Sequence, residues 1–226
     1  MSLTDRYRSP EDLPRTIPVF PLTGCILLPR SALPLNIFEP RYLAMVNDAI
    51  SGDRIIGIIQ PQAVEDNQES PSGKTYSLRQ TGCAGRITAF SETEDGRILI
   101  TLTGIARFDV VSEQKTTKPY RICEISARPY RDDFIPGHGQ EAVDWDKFLR
   151  TLKSYLDARK LTADWQSIQR SPAEMLINTL SMISPYGPEE KQALLEAPDL
   201  KTRSEVLMAL AQMDMAAPDT TTGSLH

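Results

Sequence analysis

The hydrophobic positions of the chain follow two different periods, one in each half. Between residues 17 and 126 the apolar residues form short runs or occupy every second position, as Ile98, Ile100 and Leu102 do. A period of two is typical of strands that lay one face on a core. After residue 130 the apolar residues recur every three or four positions, as in amphipathic helices. The pattern therefore predicts an α+β fold with a β-rich N-terminal part and a helical C-terminal part.

Eight short segments of the first half have the composition of strands. They are 17–22 (IPVFPL), 25–29 (CILLP), 33–38, 54–60, 82–92, 97–103, 108–111 and 120–126. Pro18, Pro21 and Pro29 confine the first two segments to strand ends, edges or bulges, because proline cannot donate to a ladder. Glu94-Asp95-Gly96 is typical of a hairpin turn between two of the later strands.

A sharp joint between strand and helix lies at residues 38–42, which read FEPRY. Proline is well suited to the first helical position because its missing N–H has no partner there, so we expect a helix from Pro40 to a stop at Gly52. Glu39 is expected to cap this helix with its carboxylate, while Arg41 is solvated or ion-paired. The functional alternative is that Glu39 and Arg41 flank an apolar groove and hold the backbone of a ligand.

The C-terminal part contains a series of predicted helices. The first has an apolar stripe formed by Trp145, Phe148, Leu149, Leu152 and Leu156. Residues 171–174 (SPAE) have the form of a capping box before a helix over 175–183. Another helix is predicted to begin at Pro188, and Asp199 is expected to cap the last one. The inner face of that last helix is predicted to carry Val206, Leu207, Leu210 and Met213.

These patterns divide the chain into four segments. We predict a flexible N-terminal segment over 1–16, a β-rich subdomain over 17–130, an α-helical subdomain over 131–215 and a flexible tail over 216–226. The boundary near residue 130 is placed where the polar, glycine-bearing stretch RDDFIPGHGQE separates the two periodicities.

The composition narrows the class of protein. With 226 residues, of which 40% are hydrophobic and 24% charged, the chain is in the ordinary globular range. A net charge of −5 provides no basic surface for phosphates, so we do not expect nucleic acid as a partner.

We find neither a signal-type apolar segment nor a run long enough to cross a membrane, so we expect a cytoplasmic protein without membrane contact. Cys25, Cys83 and Cys123 are odd in number and far apart, which favours a reducing compartment over disulfides or zinc.

The sequence contains no pattern that supports catalysis. The histidines His138 and His226 lie in a glycine-rich hinge and at the C-terminus, where neither is expected to be held beside a nucleophile. Residues 72–75 (SGKT) resemble the end of a phosphate loop, but Gln68 stands where the motif needs glycine. We therefore expect no enzyme, no cofactor and no metal site.

Several segments, in order, resemble the N-terminal substrate-binding domain of Lon proteases. The resemblance is carried by IPVFPL, by CILLPRSALPLNIFEPRYLAMVNDAI, by Gly82–Arg86, by GIARF at 104–108 and by EEKQALLEAPDLKTRSEVL at 189–207. It extends from Ile17 to Gln212. Lon proteases continue into an ATPase module and a peptidase domain, neither of which we find in these residues, so we expect a stand-alone copy of the domain.

The resemblance implies a fold and a function. The fold is a six-stranded PUA-like pseudobarrel followed by a helical bundle. The function is recognition of unfolded or apolar protein segments, or of a protein partner such as a protease, by an adaptor or regulator of proteolysis. We expect Leu35, Phe38, Arg41 and Tyr42 to line the binding surface. A small-ligand-binding or RNA-binding PUA-like module is the alternative, and whether the chain forms a homodimer stays open.

Overall fold

The first half of the chain forms one mixed β-sheet and the second half a set of helices. The computed structural model describes residues 4, 6–62 and 76–216. Its strands are β1 (Thr16–Pro21), β2 (Ala32–Ile37), β3 (Ile55–Pro61), β4 (Leu78–Glu92), β5 (Ile98–Glu113) and β6 (Arg121–Ser126). Its α-helices are α1 (Pro40–Ser51), α2 (Trp145–Ala158), α3 (Trp165–Arg170), α4 (Ala173–Ile183), α5 (Pro188–Glu196) and α6 (Leu200–Ala216). None of the helices in these ranges is long and apolar enough to cross a membrane.

The sheet closes on itself because β5 pairs with three other strands. The strand order is β2-β5-β4-β3-β1-β6, and β5 pairs with β6 as well. The first half of β5 pairs with β2, its second half pairs with β6, and β4 runs beside both halves. β1 and β3 are parallel, and the other paired strands of the described sheet are antiparallel. The six strands followed by helices confirm the predicted α+β class.

The long strand β5 corrects one sequence prediction. Residues 97–103 and 108–111 were predicted as separate strands, but both lie in the single strand β5. The pairing with β4 shifts register where Gly85 opposes Gly104 and Ala84 opposes Ala106, which leaves Ile105 as an extra residue. Such a bulge interrupts the period of two without ending the strand. The sequence pattern cannot distinguish this bulge from a loop.

The segment 25–29 is buried but forms no strand, contrary to the prediction. Ile26, Leu27 and Leu28 are almost inaccessible to solvent. The segment crosses β5 at Gly104, where an added Cβ would overlap the carbonyl oxygen of Leu28. The backbone N–H of Arg30 then donates to the carbonyl of Gly104 at 2.9 Å. An apolar run without alternation predicts burial only, because an irregular core segment has the same composition as a buried strand.

Two apolar clusters fill the molecule. One lies inside the barrel and includes Val19, Ile59 and Phe108, and the other lies between the barrel, α1 and the C-terminal helices. Tyr7 and Leu13 are buried in the barrel cluster, so part of the segment predicted as flexible over 1–16 is packed. The four-segment division of the chain stays a prediction, and residues 217–226 of the predicted tail lie outside the described residues.

The helix starts largely follow the sequence signals, and the inner face of α6 does so in part. Helices begin at Pro40 and Pro188 as predicted. The buried face of α6 includes Arg203, Ser204, Leu207, Met208 and Ala211. Met213 was predicted to face inward but is 69% exposed. Leu207 is buried and Val206 and Leu210 pack against the core, as predicted, so the prediction is wrong for Met213. It also misses Arg203 and Ser204, polar residues of the buried stripe that hydrophobicity assigns to solvent.

Candidate functional site

A deep apolar groove runs between α2, α4 and α6, and we call it the helical groove. Its volume is about 590 Å³, within the range typical of ligand-binding clefts. The floor is formed by Phe148, Leu152, Leu156, Leu180, Leu207 and Met208. Tyr155 on α2 and Tyr186, in the loop after α4, stand among the remaining lining residues. The groove can take apolar side chains of a partner.

Local signals in the sequence fix the helices that form this groove. The carboxylate of Asp144 accepts a hydrogen bond from the backbone N–H of Lys147 at 3.0 Å and so caps α2. Asp199 caps α6 in the predicted way, because its carboxylate accepts from the backbone N–H of Thr202 at 2.7 Å. Phe148 and Leu152 lie on the buried stripe that was predicted for α2. α2 and α4 both pack on α6, and the groove lies between them.

The helical groove has no uncompensated charge among its described lining residues. At one end, Arg159 Nε donates to the carboxylate of Asp214 at 3.1 Å, and Nη2 donates to the Asp214 carbonyl at 2.8 Å. Burial raises the pKa of Tyr155, and it raises the pKa of Tyr186 to about 12. Both phenols are therefore neutral at physiological pH. The site is suited to an apolar surface rather than to a charged ligand.

Two exposed apolar side chains stand at the rim of the groove. Ile183 at the end of α4 is 69% exposed, and Leu161 just after α2 is 54% exposed. Large apolar side chains exposed beside a hydrophobic cleft are a feature of interaction surfaces. The sequence analysis did not find this site, because its floor comes from three helices that are separated along the chain. The apolar stripe predicted on α2 was the signal, but the sequence analysis did not connect it with a binding site.

The four residues predicted to line the site differ in their exposure to solvent. Tyr42 is only 6% exposed and packs on Phe20, with the ring centroids 4.0 Å apart. Arg41 lies over the Tyr42 ring, 4.5 Å from its centroid, and is open to solvent. Phe38 is 62% exposed at the joint. Leu35 lines a separate hollow on the sheet. None of these four described residues lines the helical groove.

The hollow beside Leu35 is a second apolar surface. It has a volume of about 470 Å³, and Phe90 on β4 and Leu99 on β5 line it together with Leu35. Both Phe90 and Leu99 are half-exposed. β2 lies at the edge of the sheet there, but Pro34 within it has no N–H. An incoming strand would find this edge short of backbone donors.

The charged pair at the joint has a structural role that differs from the expected one. Glu39 occupies the cap position of α1, but its carboxylate makes no capping hydrogen bond. It accepts instead from Arg41 Nε at 2.9 Å. Because the two side chains neutralise each other and both are partly exposed, the pair contributes little to stability. The prediction that Glu39 caps with its side chain is wrong, and the ion-paired state expected for Arg41 is confirmed.

A buried ion pair fixes the helices to the barrel. Arg107 in the middle of β5 binds both carboxylate oxygens of Asp133, at 2.9 Å through Nε and 2.8 Å through Nη2. Its Nη1 donates to the carbonyls of Leu195 and Ala197 at the end of α5. The pair holds α5 against the barrel wall.

A second polar contact at the same junction replaces the predicted capping box of α4. Ser171 is not the cap, because its hydroxyl donates to the carbonyl of Ser167 in the preceding helix. The carboxylate of Glu174 accepts from Arg30 and from the backbone N–H of Gly137 at 2.9 Å. The predicted capping box is wrong because the Glu174 carboxylate, which would bond the backbone of the cap residue in such a box, forms a long-range ion pair instead. The predicted helix itself is confirmed, since α4 covers 173–183.

The other predicted chemical features fall outside any assembled site. His138 is half-exposed, with its imidazole 3.6 Å from Asp132. Residues 72–75 and His226 lie outside the described residues. Within the described ranges no group of three or more His, Cys, Asp or Glu is arranged to hold a metal ion.

Comparisons with known proteins agree with the fold. The family model of the ATP-dependent protease La (LON) substrate-binding domain matches residues 16–212. A Lon protease of Desulfosudis oleivorans is 26% identical over 200 residues, which are 85% of this chain and 23% of that protein. Lon protease 2 of Myxococcus xanthus is 25% identical over 209 residues, 88% of this chain and 24% of that protein. The chain thus spans about a quarter of the length of these relatives, and the match lies in their N-terminal part.

Two solved structures are similar over most of the chain. A Lon N-terminal domain protein from Xanthomonas campestris has a TM-score of 0.56 at 23% identity, covering 86% of this chain and 97% of that one. The N-terminal domain of a Mycobacterium avium complex Lon protease has a TM-score of 0.62 at 18% identity, covering 87% and 98%. With a family model that matches residues 16–212, the chain belongs to the family of Lon protease substrate-binding domains.

Proposed function

We propose that this chain is a non-catalytic recognition module that binds apolar segments of protein substrates in the helical groove. The single observation that carries the proposal is the groove itself, a cleft of about 590 Å³ with an apolar floor and exposed apolar residues at its rim. The family supports a role in substrate recognition, and the match covers the substrate-binding domain but not the ATPase or peptidase domains of Lon proteases.

The groove is a better candidate than the surface around Leu35 and Phe38. The hollow beside Leu35 is smaller, about 470 Å³ against about 590 Å³, and Pro34 limits backbone pairing at the adjacent edge. Tyr42 is part of the core, so it contributes to a surface only through Arg41, which covers its ring. Leu35, Phe38 and Arg41 remain a second candidate surface, which the experiment below separates from the groove.

Binding of a labelled, permanently unfolded polypeptide, followed by fluorescence anisotropy, tests the proposal. Ile183→Asp places a charge at the rim, and Met175→Asp is the matched control, since Met175 lies on the same helix, is 54% exposed and does not line the groove. Covering an isoleucine side chain is worth about 1.5–3 kcal/mol, so Ile183→Asp should weaken binding about tenfold or more. Met175→Asp should leave it unchanged. Circular dichroism confirms that both variants are folded.

Other outcomes assign the site differently. Unchanged binding by Ile183→Asp would remove the groove as the site. Weakened binding by Phe38→Ala together with normal binding by Ile183→Asp would move the site to the joint. A wild-type chain that binds no unfolded polypeptide at all would refute the recognition function itself.

The proposal extends to regulation of proteolysis, by competition for substrates. A purified Lon protease should degrade a labelled unfolded substrate more slowly when the wild-type chain is in excess, and Ile183→Asp should not slow it. Faster degradation with the wild-type chain would instead make it an adaptor that delivers the substrate. An unchanged rate would limit the function to binding.

A further inference from the structure

Most of the backbone around the helical groove is helical and forms its hydrogen bonds within the helices. The lining residues lie on α2, α4 and α6 or in the segments that directly follow α2 and α4, and helical N–H and C=O groups bond within their own helix. Several carbonyls at the helix ends, where free acceptors would be expected, also accept hydrogen bonds. The carbonyl of Leu156 accepts from the N–H of Leu161 at 2.9 Å, and that of Tyr155 accepts from the N–H of Arg159 at 3.0 Å.

Side chains donate to further carbonyls near the ends of α4 and α6. Lys191, itself buried, donates through Nζ to the carbonyls of Ser181 at 2.9 Å and Met182 at 2.5 Å, at the end of α4. Arg159 donates to the carbonyl of Asp214 at 2.8 Å, in the last turn of α6. The described walls of the groove therefore offer apolar side chains but few backbone partners to a bound chain.

Resting on the function proposed above, we infer that the helical groove selects an amphipathic helix of its protein partner rather than an extended segment. An extended segment in this groove would bury peptide groups without hydrogen-bond partners, which is unfavourable. A helix carries its backbone hydrogen bonds within itself and presents only side chains. Recognition by addition of a strand, the mode that a free sheet edge would favour, does not apply to a groove built from helices.

The dimensions of the groove match a short helix. Its lining on α2 runs from Phe148 to Arg159, which at 1.5 Å per residue is about 16 Å. That length accommodates about three turns of a bound helix, with apolar anchors at positions i, i+3 or i+4, and i+7. Ile183 and Leu161, exposed at the rim, are placed to contact the flanks of such a helix.

The charges of the groove also limit the occupant. Arg159 and Asp214 neutralise each other, and the phenols of Tyr155 and Tyr186 are neutral. A charged side chain buried here would have no partner among the described lining residues, so the buried stripe of the helix must be uncharged. The occupant is thus a helix with one purely apolar stripe, and its polar residues face solvent.

Two labelled peptides of identical composition test the inference. In one, the leucines follow the spacing i, i+3, i+4, i+7, and in the other they alternate with polar residues. The helical pattern should bind the wild-type chain at least about tenfold more tightly by fluorescence anisotropy, and the peptide should gain helical ellipticity on binding. A proline at the centre of the helical peptide should abolish this binding. Ile183→Asp should weaken it, and Met175→Asp should not.

The outcomes separate this inference from the function on which it rests. If the alternating peptide binds as tightly as the helical one, and Ile183→Asp weakens both, the groove binds apolar segments but does not select helices. If the unfolded polypeptide binds through Ile183 and the helical peptide does not bind, the inference is wrong and the proposed function stands. If neither peptide nor the unfolded polypeptide binds, both are wrong.

Discussion

Replacing Arg107 with methionine removes the cation that joins the barrel to the helices. The carboxylate of Asp133 would then stay buried without its bidentate partner, and the carbonyls of Leu195 and Ala197 would lose their donor. Removing one member of a buried pair costs about 3–5 kcal/mol, because the other charge is left unpaired in a medium of low polarity. We expect Arg107→Met to lower the free energy of unfolding by that amount, a large share of the stability of an ordinary domain.

Equilibrium unfolding in urea, followed by circular dichroism, measures this loss. The double variant Arg107→Met with Asp133→Leu removes the orphaned carboxylate as well, so it should be more stable than the single variant. A loss below about 1 kcal/mol for Arg107→Met, the value of an exposed ion pair, would refute the reasoning. A double variant that is less stable than both Arg107→Met and Asp133→Leu would also refute the reasoning, because an unpaired buried charge would then not be the cause of the loss.

Two further predictions concern glycines of the barrel and Tyr42 on α1. Gly104→Ala should prevent stable folding, because its Cβ would overlap the carbonyl oxygen of Leu28. Gly96→Ala has open space around its Cβ and should cost only about 1 kcal/mol of stability, through its positive φ. Thermal unfolding of the two variants measures the difference. Burial raises the pKa of Tyr42 to about 12, from the usual value near 10. The phenol ionises at lower pH in the unfolded state than in the folded state. The free energy of unfolding therefore keeps its full value below pH 10 and falls as the pH rises towards 12. Tyr42→Phe should make that decline shallower, as measured by urea titrations at several pH values.

Local signals were enough to predict much of the secondary structure. Pro40 and Pro188 begin helices because the conformation of proline suits a first turn, and Asp199 caps α6 through a carboxylate three residues from its target. The alternation at Ile98 and Ile100 places one face of β5 on the core. In each case the interacting groups are close neighbours in the sequence or follow one period, so the sequence alone contains the information.

The site was not predictable in the same way. Glu174 was assigned to a local capping box, but Arg30, far away in the sequence, takes its carboxylate. The groove depends on how α2, α4 and α6 pack, and no single helix shows whether its apolar stripe is covered. Phe38 and Tyr42 are adjacent to the same joint, yet one is solvent-exposed and the other is core. Long-range packing decides these outcomes, and a single sequence does not specify it.

The position of β1 in the barrel sets an order on folding during synthesis. β1 leaves the ribosome before the other strands of the described sheet, but it lies between β3 and β6, with Thr16 paired to Glu124. β6, the second neighbour of β1, does not exist until Arg121–Ser126 have been translated. The carbonyls of Leu195 and Ala197, which accept hydrogen bonds from Arg107 in the barrel, are made later still. The described sheet therefore stays open until β6 has been made, and its contacts with α5 form later still. Contacts so distant along the chain form slowly, and this interval is when the chain itself most needs protection from aggregation.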